Sequence, residues 1–370
     1  MSEVFSKVGI IGTGLMGGSL ALALMSDPGV ERVVCYDISP ETRREARELS
    51  VGDEVVEVAD DAVKGSGLVV LATPVGEIKR AFAGVLEHLE NGTIITDVGS
   101  VKLPVIAAIE EIAPEGVNYV GGHPMTGSEQ EGVFSARADL YRDCYYILTP
   151  TDRTDTEAFR RLHGLLTGIG SRVISMDPEL HDRAMATISH LPHLLSLVLM
   201  EVARKEQEKM RNLFTIAARG FRDMTRISAS SPDLWTDICM ENKDFILAAL
   251  EEYSEVIDEL AGLLKQNDRD RLQELFKAAR RARDDLSVKE GLDIEELYEV
   301  TMPVPDQPGV ISKVSTAIGA LGVNIEDIGI VHPLEGETGI LNLKILGKDK
   351  AIKANQELAS LGYSARMRRA

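Results

Sequence analysis

The 370-residue chain is 44% hydrophobic with a formal net charge of −19, a globular composition in a length beyond one ordinary core of about 150 residues. The acidic excess disfavours nucleic acid or an anionic membrane surface as a partner, because binding either requires neutralising phosphates; a small anionic substrate stays compatible if arginines gather locally. No apolar run approaches the ~20 residues of a bilayer span, Met1 to Lys7 lacks a signal-peptide pattern, and Cys35, Cys144 and Cys239 form no C-x-x-C pair, so a cytoplasmic protein with no metal site and no disulfide framework is expected.

The first apolar run, Val8 to Ile11, leads into Gly12-Thr13-Gly14-Leu15-Met16-Gly17-Gly18 and a helical stretch from Ser19 to Met25. This is the G-x-G-x-x-G pattern in a strand, turn, helix setting. Gly12 permits a tight turn, Gly14 lets the backbone approach a pyrophosphate, and Gly17 lets the helix lie close to the sheet, while the helix N-terminus offers N–H groups to the anion. Leu15 and Met16 fall inside the same cofactor-binding turn. The next run, Arg32 to Tyr36, ends in Asp37, twenty residues past Gly17. An acid there suits the ribose 2′-hydroxyl of NAD and repels a 2′-phosphate, although Asp37 could instead cap the helix starting near Pro40, and Arg43 and Arg44 lie close enough to leave NADP open.

Short β-branched runs then alternate with helical stretches: strands at Leu68 to Ala72, Thr93 to Asp97, Asn118 to Val120, Tyr145 to Leu148 and Arg172 to Ile174, helices at Glu77 to Leu89, Pro104 to Ile112 and Thr156 to Ile169. The pattern predicts an α/β fold, a doubly wound Rossmann sheet with helices on both faces, over residues 1–176. Ligands in such sheets lie outside the carboxyl ends of the strands, which brings Thr73 and Pro74, the segment Asp97 to Lys102, and the segment Gly121 to Gly127 toward one crevice. His123, flanked by glycines in what reads as a loop, has an unperturbed pKa near working pH and suits a proton acceptor; the bland alternative is a histidine bonded to backbone carbonyls.

Over residues 177–290, Pro and Gly become scarce and apolar residues recur at helical spacing, which predicts an all-helical domain. Its run Leu194 to Met200 exceeds what one amphipathic face needs, and burial between two copies of the chain is the simplest outlet. From 293 to 370 period-two character returns in a β-α-β-β-α-β order, with a strand at Tyr298 to Met302, a turn at Asp306-Gln307-Pro308-Gly309, strands at Val323 to Val331 and Gly339 to Leu346, and a last strand at Tyr363 to Met367.

Gly12 to Gly18, Asp97 to Lys102, Gly121 to Glu129, Ser189-His190-Leu191-Pro192-His193 and Phe221 to Ile227, in this order, resemble the prephenate dehydrogenase family of tyrosine biosynthesis, and the tail resembles an ACT domain. The resemblance implies NAD-dependent oxidative decarboxylation of prephenate to 4-hydroxyphenylpyruvate in a homodimer. It implies that His123 accepts the proton of the ring hydroxyl, that Ser100 bonds the same hydroxyl and positions His123, and that Arg226 holds a substrate carboxylate bidentately. Arg222, four residues earlier, fits either a substrate contact or a solvated surface, and Ser100 could also cap the helix near Leu103. His190 is the substrate-side member of the His190/His193 pair under the same resemblance, with a core role open for both. Ser128 and Glu129 fall to the substrate side chain. Here the chain departs from the family pattern, with Gln130-Glu131 where a basic residue is common. Trp235 reads as packing for the pocket. In the tail, Asp306, Gln307, Pro308, Gly309, Asn324 and Ile325 form the implied effector site for tyrosine, a purely structural pairing module being the alternative. Arogenate is the alternative substrate; a β-hydroxyacid dehydrogenase shares the glycine opening but places a catalytic lysine before an asparagine, whereas here Asn242 precedes Lys243.

Overall fold

Eight strands form one sheet in the computed structural model: β1 (Val8–Ile11), β2 (Val33–Tyr36), β3 (Glu54–Val55), β4 (Leu68–Leu71), β5 (Ile94–Asp97), β6 (Asn118–Pro124), β7 (Tyr145–Thr149) and β8 (Arg172–Ser175). The structure describes residues 4–127, 130, 132–289, 297–305, 310–325, 327–331 and 338–369. The sheet order is β3-β2-β1-β4-β5-β6-β7-β8, so the chain reverses direction across the sheet between β1 and β4, and that switch opens a crevice at the carboxyl ends. Strands β1 to β6 run parallel, while β7 pairs antiparallel with β6 and parallel with β8. Parallel strands are covered on both faces, and their near-continuous apolar runs follow from that. One core cluster gathers Ile10, Leu20, Val70 and Tyr146. The other gathers Ile11, Leu71, Ile78 and Ile95, with Ile238 from a later helix.

Helices α1 (Leu15–Leu24), α2 (Pro40–Glu48), α3 (Ala59–Val63), α4 (Ile78–Val85), α5 (Leu103–Ile112) and α6 (Thr156–Gly168) connect these strands. Their starts follow local chemistry. Ser39 caps α2 by accepting from Thr42 N–H, and Asp155 caps α6 by accepting from Ala158 N–H. The cap of α2, the alternative role for Asp37, thus falls to Ser39.

One expectation needs correcting. Gly121 to Pro124 is strand, not loop: the first half of β6 pairs with β5, the second half with β7, and His123 stands opposite Ile147. The glycines serve close packing rather than mobility. A Cβ on Gly122 would lie 2.6 Å from the Asp97 carbonyl oxygen, and one on Gly121 would lie 2.4 Å from Thr149 Oγ1.

Beyond β8 come α7 (Pro178–Met185), α8 (Leu191–Lys209), α9 (Arg219–Thr225), α10 (Pro232–Glu241), α11 (Lys243–Gln266) and α12 (Arg269–Lys289), with one π-helical turn over Ala186–His190 between α7 and α8. The chain separates into two compact units, residues 1–258 and 259–370. The sheet and the helices through α10 therefore share one unit, and residue 176 marks a change of architecture inside it. Within the helical stretch Pro178–Lys209 an 18-residue window reaches a mean hydropathy of 1.3, apolar enough by length and composition alone to cross a membrane, which corrects the sequence expectation. Its polar side chains are nonetheless tied into the protein: His181, Asp182 and His190 are wholly buried and bonded as described below. Leu197, Val198 and Val202 on α8 are 54%, 54% and 60% exposed in the single chain.

The second unit carries β9 (Leu297–Pro305), α13 (Val310–Ala320), β10 (Asp327–Val331), β11 (Thr338–Leu346), α14 (Lys348–Ser360) and β12 (Arg366–Arg369). Its antiparallel sheet has the order β10-β11-β9-β12, the β-α-β-β-α-β arrangement expected, with both helices contributing to a core around Val300, Met302, Leu341 and Leu343.

Gly17 tests how closely α1 lies on the sheet: a Cβ there would sit 1.9 Å from the Gly12 carbonyl oxygen. Gly17→Ala is expected to cost about 1–3 kcal/mol through overpacking, measured by urea denaturation; a loss under about 0.5 kcal/mol would contradict this packing.

Candidate active site

The crevice begins at the glycine turn. Gly12 has φ +98°, and its Cβ position is taken by the Ala72 carbonyl oxygen at 2.4 Å, so only glycine fits. At Gly14 a Cβ would meet nothing within 4 Å, leaving backbone open to an incoming group, and the N-terminus of α1 carries no side-chain cap and no acid in its first turn. Uncapped N–H groups beside open backbone are what a pyrophosphate requires. Leu15 and Met16 open α1 at this point, and Thr73 and Pro74 follow β4 at the same edge, with Thr73 Oγ1 buried and unpartnered.

Asp37 closes the far side of the turn. Its Oδ2 accepts from Thr13 N–H at 2.8 Å and its Oδ1 from Ser39 N–H at 2.9 Å, which fixes the carboxylate at the end of β2. Arg43 is committed elsewhere: it pairs with Glu57 at 2.8 Å, donates to the Asp37 carbonyl at 2.7 Å and lies over the Tyr36 ring.

His123 stands near the carboxyl end of β6, 9% exposed. Its Nδ1 lies 2.8 Å from His181 Nε2, and His181 Nδ1 lies 2.7 Å from Asp182 Oδ1. The roles follow from the end of the chain. A carboxylate only accepts, so His181 Nδ1 carries a proton; with that single proton on the ring, Nε2 accepts, His123 donates from Nδ1, and His123 Nε2 keeps its lone pair. That is the protonation state of a general base. Burial, followed by the neighbouring His181, Lys102 and His190, holds the His123 imidazole well below its usual range.

Asp182 does more than orient His181. Its Oδ1 accepts from Lys102 N–H and its Oδ2 from Leu103 N–H, both at 2.8 Å. These are the leading N–H groups of α5, whose own cap residue supplies no side-chain bond; a carboxylate from α7 caps it instead, favoured by the helix dipole.

Beneath the site lies a buried ion pair. Lys102 and Asp97 are wholly buried and paired, Tyr119 Oη donates to Asp97, and Lys102 Nζ donates to the Gly122 carbonyl at 2.8 Å. That last bond pins the backbone immediately before His123. Burial pulls the Lys102 ammonium down while Asp97 opposes it, and burial with Asp97 pushes the Tyr119 hydroxyl well up.

His190 joins the same region through Asn242, which also bonds the Asp182 carbonyl. His190 ends the π-helical turn, fully buried, with its pKa pushed down to about 4 mainly by burial. Trp235 meets His190 edge-on at 6.1 Å and stacks on His193 at 3.4 Å, which agrees with a packing role for the tryptophan. Arg226 follows α9 at the head of a short 3-10 turn, Arg226–Ala229, that packs on α8. Arg222 donates to the Ala217 carbonyl at 3.3 Å on an exposed surface.

Ser100 sits two residues before Lys102, half-buried, but the bond that orients His123 runs to His181, and among the described residues none runs from Ser100 to His123. Ser128, Glu129 and the turn Asp306, Gln307, Pro308 and Gly309 lie outside the described residues. Asn324 is exposed and Ile325 packs against the tail core. Sequence reasoning missed His181 and Asp182, whose pairing with His123 spans 58 residues, and missed Asn242, which bonds His190. It quoted Lys102 without giving it a role.

The family models for the nucleotide-binding and dimerization domains of prephenate dehydrogenase match residues 20–175 and 177–278. The prephenate dehydrogenase of Bacillus subtilis (strain 168) is 36% identical over 358 residues, 96% of each chain. The chain belongs to the prephenate dehydrogenase family. Among solved structures, the prephenate dehydrogenase of A. aeolicus in complex with hydroxyphenyl propionate and NAD+ matches with a TM-score of 0.73 and 31% identity, covering 77% of this chain and 100% of that one. The arogenate dehydrogenase of Synechocystis matches with a TM-score of 0.66 and 29% identity, covering 76% and 99%. The family's dimerization domain includes α8 and its exposed apolar face.

Removing one partner of the buried pair should be costly. Lys102→Met is expected to destabilise the protein by about 3–5 kcal/mol by stranding Asp97, and the double variant with Asp97→Asn should lose less than the single one, as read by urea denaturation. Equal losses would mean the pair is not coupled.

Proposed function

We propose that the chain oxidises prephenate with NAD+ and releases the ring carboxylate as CO2, giving 4-hydroxyphenylpyruvate for tyrosine biosynthesis. The observation that carries this proposal is the Asp182–His181–His123 chain, which leaves His123 Nε2 as a bare acceptor at the carboxyl end of β6, on the edge where the glycine turn lies.

The residues at that turn fit the cofactor: Gly14 leaves the backbone open, the start of α1 is uncapped, and Asp37, held by Thr13 and Ser39, suits the ribose hydroxyls. When bound, the nicotinamide supplies a hydride acceptor. His123 accepts the proton of the 4-hydroxyl as the carbon–hydrogen bond breaks toward that acceptor, turning the carbinol carbon into a carbonyl. Cleavage of the bond to the ring carboxylate then sends its electron pair into the ring, which becomes aromatic, and His123 returns the proton to the phenolate oxygen. Aromatisation drives the sequence, so the protein's task is orientation and proton handling. Arg226 fits a substrate carboxylate through its planar fork, with His190, Ser128 and Glu129 completing the substrate side, and Ser100 bonds the hydroxyl directly.

Arogenate is the alternative substrate, supported by the Synechocystis neighbour and by Gln130-Glu131 where the family pattern has a base. Turnover measured on both substrates, as NADH formed, separates them. The exposed apolar face of α8 in a matched dimerization domain supports a homodimer, and a cytoplasmic location belongs to the same proposal. The tail's β-α-β-β-α-β order supports an ACT module that binds tyrosine near Asn324, Ile325 and the turn from Asp306 to Gly309. The B. subtilis relative aligns along 358 of the 370 residues, too many for that tail to fall outside.

His123→Asn is expected to lower turnover roughly 10²- to 10⁴-fold with little change in substrate affinity. In the parent enzyme the base must be neutral, and its pKa is lowered; kcat/KM should therefore hold through pH 6.5 and fall only well below it. An acid limb centred at or above 6.5 would contradict the burial of this imidazole. Tyrosine should inhibit the full-length enzyme and lose its effect when residues 293–370 are deleted; inhibition that survives the deletion would place the effector site elsewhere.

A further inference from the structure

We infer that Asn242 is a positioning residue that holds His190 as a hydrogen-bond donor toward an oxygen of the substrate. The inference rests on the placement of His190 at the substrate side proposed above, and deepens it by fixing which ring nitrogen carries the proton.

Asn242 links α10 to α11 and is buried: its N–H donates to Ile238 and its carbonyl accepts from Ile246 N–H. Its side-chain Nδ2 lies 2.9 Å from the main-chain carbonyl of Asp182 and 3.0 Å from His190 Nδ1. A main-chain carbonyl can only accept, so the amide atom facing it is the NH2 group, and the amide cannot be turned over without setting two oxygens against each other. One amide hydrogen goes to Asp182 and the other points at His190 Nδ1. That nitrogen must be bare, and the imidazole proton resides on Nε2.

Among the described residues His190 Nε2 has no partner, although the residue is wholly buried. A buried N–H without an acceptor costs about as much as a lost hydrogen bond. The flanking ring is Trp235, met edge-on and itself stacked against His193; an indole is a donor only and offers no acceptor nitrogen. An oxygen of the substrate arriving there satisfies the group.

The two histidines are therefore set in opposite senses by one residue. The Asp182 carboxylate, through His181, leaves His123 Nε2 to accept; the Asp182 carbonyl, through Asn242, leaves His190 Nε2 to donate. A substrate that surrenders a hydroxyl proton at one point and offers an oxygen acceptor at another is complementary to that pair. Burial also keeps both rings neutral, so the opposite senses are set by hydrogen bonding.

Nitrogen-15 spectra of histidine-labelled protein test the tautomer directly. The wild-type enzyme should show His190 with an unprotonated Nδ1, and Asn242→Asp, whose carboxylate can only accept, should show the proton moved to Nδ1. A protonated Nδ1 in the wild type overturns the proposal, even if the variant fails to fold. Kinetics supply the functional arm. Asn242→Asp should raise KM roughly 10- to 100-fold, the worth of one buried hydrogen bond, with kcat changed much less. His190→Gln keeps an N–H donor that has no tautomer to reverse, so Asn242→Asp in that background should raise KM less than about threefold further. Equal effects in both backgrounds would make Asn242 a structural residue only. An unchanged KM in His190→Ala would remove His190 from the substrate side and overturn the proposal at that step, while the wild-type spectrum would still report the tautomer.

Discussion

A single buried carboxylate, Asp182, holds this site together. It accepts the first N–H groups of α5 on one side and the His181 ring on the other, and its main-chain carbonyl accepts from Asn242. Each bond reaches a different element: α5 of the sheet region, the His123 relay, and the junction of α10 with α11. A buried charge is tolerated only when paired or fully hydrogen-bonded. Here the helix N-terminus supplies part of that compensation through its dipole. The same bonds dock α7 against the sheet, so the placement of the helices and the tautomer of His123 rest on one interaction.

The second constraint is the trio Asp97, Lys102 and Tyr119. It differs in kind from the many surface pairs, such as Arg204 with Glu201 and Glu208, which water and salt screen. Inside the protein the alternatives are worse: unpaired Asp97 or Lys102 would be a bare buried charge beneath His123. The pair also acts on mechanism, because the Lys102 ammonium bonds the carbonyl preceding His123 and its charge disfavours an imidazolium there. A neutral imidazole is the result.

Much of this was legible in the chain. The glycine turn, the strand runs and the acid at Asp37 carry local signals, because turn geometry and period-two burial are set within a few residues. His123 was visible for the same reason, though its setting was misjudged: Gly121 and Gly122 look like loop glycines, yet they exist because Asp97 and Thr149 leave no room for a Cβ. What could not be read is whatever depends on distant segments meeting. His181 and Asp182 sit in an ordinary helical stretch, and nothing local marks them as partners of a histidine 58 residues earlier. The two-residue strand β3 and the reversed direction of β7 are likewise products of sheet assembly. His181, which bonds the His123 ring, carried no such local signal, whereas Ser100 drew notice only through the motif it stands in.

The net charge of −19 poses a difficulty for an enzyme whose proposed substrate carries two carboxylates, and the site geometry answers it locally. Asp97 is neutralised by Lys102, and Asp182 is covered by two helix N–H groups and a histidine. The uncapped start of α1 adds a partial positive charge at the glycine turn, and under the proposed function Arg226 adds a full one on the helical side. The long-range field thus repels anions while the crevice itself presents donors. Screening by salt falls mainly on the distant charges, so the balance at the site is governed by buried, short-range bonds. Affinity for a dianion in so acidic a protein then depends on how rigidly those donors are held, and rigidity is what the network around Asp182 provides.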